Sequence, residues 1–403
     1  MRIAIIGSGI AGLTTAFQLS RHPHSELTVF EQDEQFGGRA NVTEDGEHCP
    51  RFFMDDYTRL FDVLRQIECA DGGTTVFGEL RTVRRLTRVD TGWTEISHLY
   101  RFMAREVPSR DKVRAVLAWR PSPLVAERGL HDNRYGSLRN YSPASLPRLL
   151  GSILKSKTGY VLPGPTDRHL IDPWVRHLRA NGVELHAGTR ITRMEPEPGG
   201  VVLTSARGGE LFDAVVVTTF VPELVTLLNA SRLDHTIVEV GHTHCVAHTV
   251  ELHPDEVVLA SSQPTFYSHN GINVLVQPER ARCVVLCTLT SRTDTPYVLG
   301  QVRDFLKLEH EFRSVLRRSN QRPGEAVYAA DYLRPGRILR RPAPGVYFAG
   351  SAIRNTYPVD SAEGAVRSAL AVVQQVRRDF GLLVPAPVEI CSMTGNTGWG
   401  RDR

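Results

Sequence analysis

An α/β chain organised around a parallel βαβ unit is what this sequence predicts, and three observations in its first forty residues predict it. Ile3-Ala4-Ile5-Ile6 is an apolar run without alternation, the pattern of a strand buried on both faces. Gly7-Ser8-Gly9-Ile10-Ala11-Gly12 follows at once, and Leu13, Ala16, Phe17 and Leu19 then recur at helical spacing. A second apolar strand, Leu27-Thr28-Val29-Phe30, ends in Glu31, nineteen residues after Gly12.

Each part has a mechanical reason to be there. Gly7 permits a tight strand-to-helix turn, Gly9 lets a pyrophosphate approach the backbone, and Gly12 lets the helix pack close to the strand. The free N–H groups of the helix start, at Ile10 and Ala11, face the phosphates with the positive end of the helix dipole. Glu31, with Gln32 beside it, stands where a ribose hydroxyl needs an acceptor. Strand, glycines, helix, strand and acid in this order make a Rossmann-type dinucleotide unit.

Composition bounds the rest. A length of 403 residues suggests two or three domains, and 41% apolar content supports a large core. The net charge of +4 is too small to imply a nucleic-acid partner. Cys49, Cys69, Cys245, Cys283, Cys287 and Cys391 form no CxxC pair and fit free thiols in a reducing cytoplasm. The first strand begins at the N-terminus, leaving no room for a cleaved signal, and no apolar run approaches the roughly 20 residues of a membrane span.

Past the acid, Phe36-Gly37-Gly38-Arg39 would bring backbone and a guanidinium beside a bound pyrophosphate. A run from Gly46 to Phe53 containing His48 follows, then Tyr57 and an amphipathic helix through Leu60, Phe61, Val63, Leu64 and Ile67. With these residues the chain resembles the flavin amine oxidase superfamily, and within it the phytoene desaturase and hydroxysqualene dehydroxylase branch. In that branch an acid precedes the His-containing run, and Asp45 or Glu47 would supply it here. The resemblance implies FAD as cofactor and a Rossmann-type FAD-binding domain with a discontinuous α+β substrate domain, a mixed sheet plus a helical cap.

Later segments extend the likeness. After Gly159–Pro165 a helix is expected through Leu170, Trp174 and Leu178, then a strand in which Ile191 takes the family's adenine-contacting place. Asp213–Thr219 reads as another buried strand, and Pro222 opens a helix. Residues 236–320 alternate β-like runs (Thr236–Val240, Cys245–Leu252, Val274–Val276, Cys283–Leu289) with a helix from Tyr297 to Leu316, a sheet that would roof the substrate cavity. Near the end, Pro344–Gly350 is a strand into a glycine turn, and Ser361-Ala362-Glu363-Gly364-Ala365 opens a long helix, with Asp360 or Ser361 as N-cap. The superfamily places this helix start beneath the flavin ring, where it stabilises negative charge on reduced flavin. The resemblance thus assigns Gly350, Ser351, Ser361, Ala362, Glu363 and Ala365 to the cofactor. Ser351 departs from the family's acid, which implies weaker FAD affinity.

The expected domains are 1–75, 158–235 and 321–384 for FAD, 76–157 and 236–320 for substrate and cap, and 385–403 as a tail. The cap residues 76–157 carry helical periodicity. Basic and apolar residues mix over Arg101–Trp119 and Leu146–Lys157, which reads as a solvated face in preference to a peripheral membrane contact. His242, His244 and His248 would share one strand face with Cys245 on the other, so no metal set forms. Amine oxidases usually place a lysine on a roof strand. The four lysines here, Lys112, Lys155, Lys157 and Lys307, miss those strands, which favours a desaturase or dehydrogenase of an apolar, isoprenoid-like substrate over an amine oxidase. His48 is the candidate catalytic side chain. The acceptor would be oxygen, a quinone or a carrier protein. A non-redox isomerase or cyclase, and a flavin-binding scaffold without catalysis, are the remaining alternatives.

Overall fold

In the computed structural model, residues 1–43, 46–47, 51–89, 92–95, 158–233, 242–243, 246–251, 263–269, 272–277, 282–287, 294–309, 311–319, 327–328, 343–353, 355–357 and 361–382 are described. The principal elements are β1 (Arg2–Ile6), α1 (Ile10–Leu19), β2 (Glu26–Phe30), β3 (Phe52–Met54), α2 (Thr58–Leu64), β4 (Arg81–Val89), β5 (Gly92–Glu95), β6 (Gly159–Val161), α3 (Asp172–Ala180), β7 (Glu184–His186), β8 (Ile191–Glu197), β9 (Gly200–Ser205), β10 (Gly208–Phe212), β11 (Ala214–Val217), α4 (Val221–Ala230), β12 (Val246–Glu251), β13 (Thr265–His269), β14 (Ile272–Gln277), β15 (Arg282–Cys287), α5 (Thr295–Leu306), β16 (Ser314–Ser319), β17 (Val346–Phe348) and α6 (Ala362–Asp379).

Apolar strands without alternation belong in the middle of a covered parallel sheet, and that is where they lie. The first sheet runs β17-β11-β1-β2-β7, with every neighbouring pair parallel. Ile3 and Ile5 pair with Leu27 and Val29 on one side and with Ala214 and Val216 on the other. On one face α1 and α6 pack together over the sheet, burying Leu13, Phe17, Val366, Ala369 and Val373, with Trp174 of α3 completing the layer. The other face is covered by the antiparallel meander β8-β9-β10 through Met194, Val201, Leu203 and Phe212.

A second, mixed sheet runs β16-β12-β15-β14-β13-β4-β6-β3, with β5 paired to β4. It draws β3 and β6 from segments expected to serve the cofactor domain and β4 from the expected cap. Two expectations change here. Arg81–Val89 and Gly92–Glu95 are antiparallel strands instead of helix, with Val83 and Leu86 buried. The helix expected from Tyr297 to Leu316 stops at Leu306, where Lys307 adopts φ 55°, and Ser314–Ser319 becomes an edge strand on β12. The expected run Thr236–Val240, the cap segment 96–157 and the tail lie outside the described residues. Among the described residues no helix is long and apolar enough to cross a membrane. Cys69 is a free, buried thiol whose pKa burial, reinforced by Glu79, pushes up to about 12.

Glu363 explains how the last helix is fixed. Its fully buried carboxylate accepts the N–H groups of Arg59 and Leu60 at 3.2 and 2.8 Å, capping the start of α2, and Arg367 Nε donates to it at 2.6 Å. Burial pushes this carboxyl above the usual range against those donors. Glu363→Ala leaves two backbone donors and a guanidinium without their acceptor. It is expected to lower unfolding free energy by about 2–4 kcal/mol, read as a lower urea midpoint; an unchanged midpoint would contradict this role.

Candidate functional site

Strand order decides where a ligand can lie. The chain leaves β1 toward β2 on one side, while β11 flanks β1 on the other, so a crevice opens beyond the carboxyl ends of these three strands. Residues 7–9 form its floor, residues 31–39 one lip, and residues 218–220 the other.

The floor is built by close approach. Gly7 adopts φ 100°, which glycine alone takes without strain. Its N–H donates to the Phe30 carbonyl at 2.8 Å, and its own carbonyl accepts Thr218 Oγ1 at 2.8 Å. A Cβ on Gly12 would overlap the Gly7 carbonyl oxygen and come within 2.8 Å of Thr218 Oγ1. Gly9 is the N-cap of α1, and a Cβ there would meet nothing within 4 Å. No side chain caps α1, so the N–H groups of its first turn are left for a ligand. Ile10 is half-buried and Ala11 buried behind this opening.

Glu31 organises the first lip. Its Oε2 accepts Ser8 N–H at 2.9 Å and Ser8 Oγ at 2.6 Å, and its Oε1 accepts Asp33 N–H at 3.1 Å. Ser8 Oγ accepts Gly37 N–H at 3.1 Å in turn. A carboxylate offers about four lone-pair positions, so Glu31 ties the floor to the lip and keeps room for one further donor. Gly38, at φ 53°, lies so near that its Cβ would sit 3.2 Å from Gly9 Cα. Gln32 is exposed at the rim.

Arg39 joins three distant stretches of chain. Its Nη2 donates to Ser351 Oγ at 2.7 Å, its guanidinium carbon lies 4.5 Å from the centre of the Phe220 ring, and Arg51 donates to its carbonyl. Ser351 therefore fixes a cation at the crevice, a task that the missing acid of the family pattern did not foretell. Gly350, at φ 150°, donates to Ser368 Oγ at 3.1 Å and so anchors this loop on α6. Ser361 caps α6, its Oγ accepting Gly364 N–H at 3.1 Å; Ala362 is half-buried and Ala365 buried.

Other expected residues fall differently. Ile191 is 7% exposed, its side chain in the core between sheet and meander. The Glu363 carboxylate is taken by Arg59, Leu60 and Arg367, so a cofactor contact from residue 363 would come from its backbone. Glu47 accepts Thr166 N–H at 3.0 Å, next to the helical turn Asp167–Ile171. His48 and Asp45 lie outside the described residues. Among the described residues no group of three His, Cys, Asp or Glu side chains could hold a metal; His244 and Cys245 are outside them.

The second lip was missed in the sequence. Thr218, Thr219, Phe220 and Glu223 follow β11, and the signal was available: an apolar strand beside β1 running into a proline-opened helix. Thr219 Oγ1 and Glu223 Oε2 are buried without a hydrogen-bond partner. Burial pushes the Glu223 carboxyl upward, against its own backbone hydrogen bond and the pull of Arg190 and Arg39. An open cradle at Gly9, an uncapped helix start and unmet buried polar atoms on one lip together fit a dinucleotide lying across the floor.

Comparison with known proteins agrees with that fit. The sequence model of the DAO family, FAD dependent oxidoreductase, matches residues 2–355. No curated protein matches the sequence. Among solved structures, an oxidoreductase from Methanosarcina mazei shares 14% identity over 93% of this chain and 100% of its own, with a TM-score of 0.63. Putrescine oxidase bound to putrescine shares 14% over 94% and 99%, at 0.62. Cyclohexylamine oxidase from Brevibacterium oxydans IH-35A shares 12% over 94% and 99%, at 0.62. At such identities the likeness is one of fold.

The two helix-start glycines separate stability from binding. Gly9→Leu is expected to leave the urea midpoint of the deflavinated protein unchanged, because the space is open, and to yield protein without flavin. Gly12→Ala is expected to cost about 1–3 kcal/mol by overpacking. Full flavin content in Gly9→Leu, or wild-type stability in Gly12→Ala, would refute the respective assignment.

Proposed function

The chain belongs to the DAO family of FAD-dependent oxidoreductases, and from that premise we propose that it is a desaturase or dehydrogenase removing a hydride from a C–H bond of an apolar substrate. Bound FAD supplies the hydride acceptor, at flavin N5. In this reading the residues divide the labour. Gly7, Gly9, Ile10, Ala11 and Gly12 give backbone access to the pyrophosphate, and Glu31 and Gln32 serve the ribose. Gly38, Arg39, Gly350 and Ser351 hold the diphosphate and ribityl region, and the backbone of residue 191 serves the adenine. The start of α6 at Ser361 and Ala362, with Glu363 and Ala365 behind it, faces the ring and favours negative charge there.

The observation that carries the substrate class is the make-up of the second sheet. None of β12, β13, β14 and β15 contains a lysine, and Lys307 lies at the end of α5. Where this sheet meets β3 and β6 the packing is apolar and aromatic: Phe52 and Phe266 have ring centres 5.3 Å apart, with Val83, Val161 and Leu275 buried beside them. Such a cluster desolvates a hydrocarbon, and the buried Arg85 guanidinium, 5.7 Å from the Phe52 ring centre, repels a second cation there. Orienting the C–H bond and excluding water are what these residues contribute. The acceptor that reoxidises the enzyme is oxygen, a quinone or a carrier protein, and His48 is the polar side chain proposed near the ring.

Anaerobic mixing tests this. Isoprenoid and other hydrocarbon-rich donors are expected to bleach the flavin absorbance, and primary amines are expected to leave it. Bleaching by amines alone would overturn the substrate class. Turnover of an apolar substrate without bleaching would select a non-redox isomerase.

A further inference from the structure

The second lip holds two buried oxygen atoms without a hydrogen-bond partner. Glu223 sits in the first turn of α4, after Phe220 as N-cap and Pro222 near the start, and no side chain caps this helix. Its Oε2 is buried and unpartnered, as is Thr219 Oγ1. Buried polar atoms are almost always satisfied by protein, water or ligand. Two unmet atoms within five residues on one edge of a ligand crevice therefore point to the ligand.

The surroundings say which part of it. The floor lies beside them: a Cβ at Gly7 would be 3.3 Å from Thr219 N. The charged groups near enough to act on Glu223 are Arg190, which precedes β8, and Asp33 and Arg39 from the opposite lip. Asp33, whose N–H donates to Glu31, and Arg190, next to the Thr189 whose N–H donates to the Glu31 carbonyl, border the end of the crevice that Glu31 marks for a ribose. A carboxylate there would repel a diphosphate, whereas adenosine is neutral and offers hydroxyl and amino donors.

We propose that Glu223 and Thr219 are further cofactor-binding residues, the Glu223 carboxylate accepting a hydrogen bond from the adenosine half of FAD. This rests on FAD occupying the crevice. Burial that raises the carboxyl pKa also softens its repulsion toward the neighbouring phosphates, so the group tolerates its position. Glu31 and Glu223 then address adenosine from opposite lips.

Fluorescence titration of the deflavinated full-length protein with FAD and, separately, with FMN tests the assignment, because FMN lacks adenosine. Glu223→Met is expected to weaken FAD binding about tenfold or more and to leave FMN within about twofold. Glu223→Gln, which keeps an oxygen acceptor, is expected to stay within about threefold of wild type for FAD. Thr219→Val is expected to lose about threefold for FAD and nothing for FMN, and this arm decides if Glu223→Met does not fold. Wild-type FAD affinity in Glu223→Met, or equal losses for FAD and FMN, would overturn the proposal. A wild-type protein that binds neither flavin would instead overturn the cofactor reading itself.

Discussion

The architecture depends on one steric fact, the seating of α1 directly on the turn that leaves β1. Gly12 has no side chain because the Gly7 carbonyl occupies that place. Thr218, at the end of the neighbouring β11, donates to the same carbonyl and locks the arrangement. This contact aims the helix start at the mouth of the crevice and keeps the three loops at a fixed spacing. Every later feature of the site is measured from it: Ser8 reaches Glu31 because the turn is tight, and Gly38 approaches Gly9 because neither has a Cβ.

The two ends of the chain meet at this frame. Arg39 and Ser351 are 312 residues apart in sequence and 2.7 Å apart in space. Glu363, at the start of the last helix, holds the start of α2. The FAD site is therefore not local to the first motif, and a dinucleotide bound there would lie against segments from both termini. Such a ligand adds to stability by mass action, since it binds the folded chain alone.

How much of this is legible in the sequence follows from physics. The parallel strands read clearly because burial on both faces leaves runs such as Ala214–Val217 with no polar residue. The glycines read clearly because only glycine fits. The strand pair β4 and β5 does not, because Arg81-Thr82-Val83-Arg84-Arg85-Leu86 mixes exposed and half-buried arginines with buried positions, and Arg85 itself is buried. The start of Ser314–Ser319 reads as the end of the helix expected to Leu316 because its short edge pattern continues a periodic stretch, and the left-handed Lys307 that ends the helix is not a glycine. The place of the Glu363 carboxylate is not legible because a motif states which residue stands at a place, not where its side chain turns. Glu223 and Thr219 were passed over because an unmet hydrogen bond is a property of the packed structure alone.

The central claim is that the crevice over β1 holds FAD. Gel filtration of the purified full-length chain after incubation with excess FAD measures it most directly. The account predicts a yellow protein peak carrying a single equivalent of flavin, with the fluorescence of the bound coenzyme altered from that of free FAD. A colourless peak, with all the flavin eluting at the small-molecule volume, would contradict it.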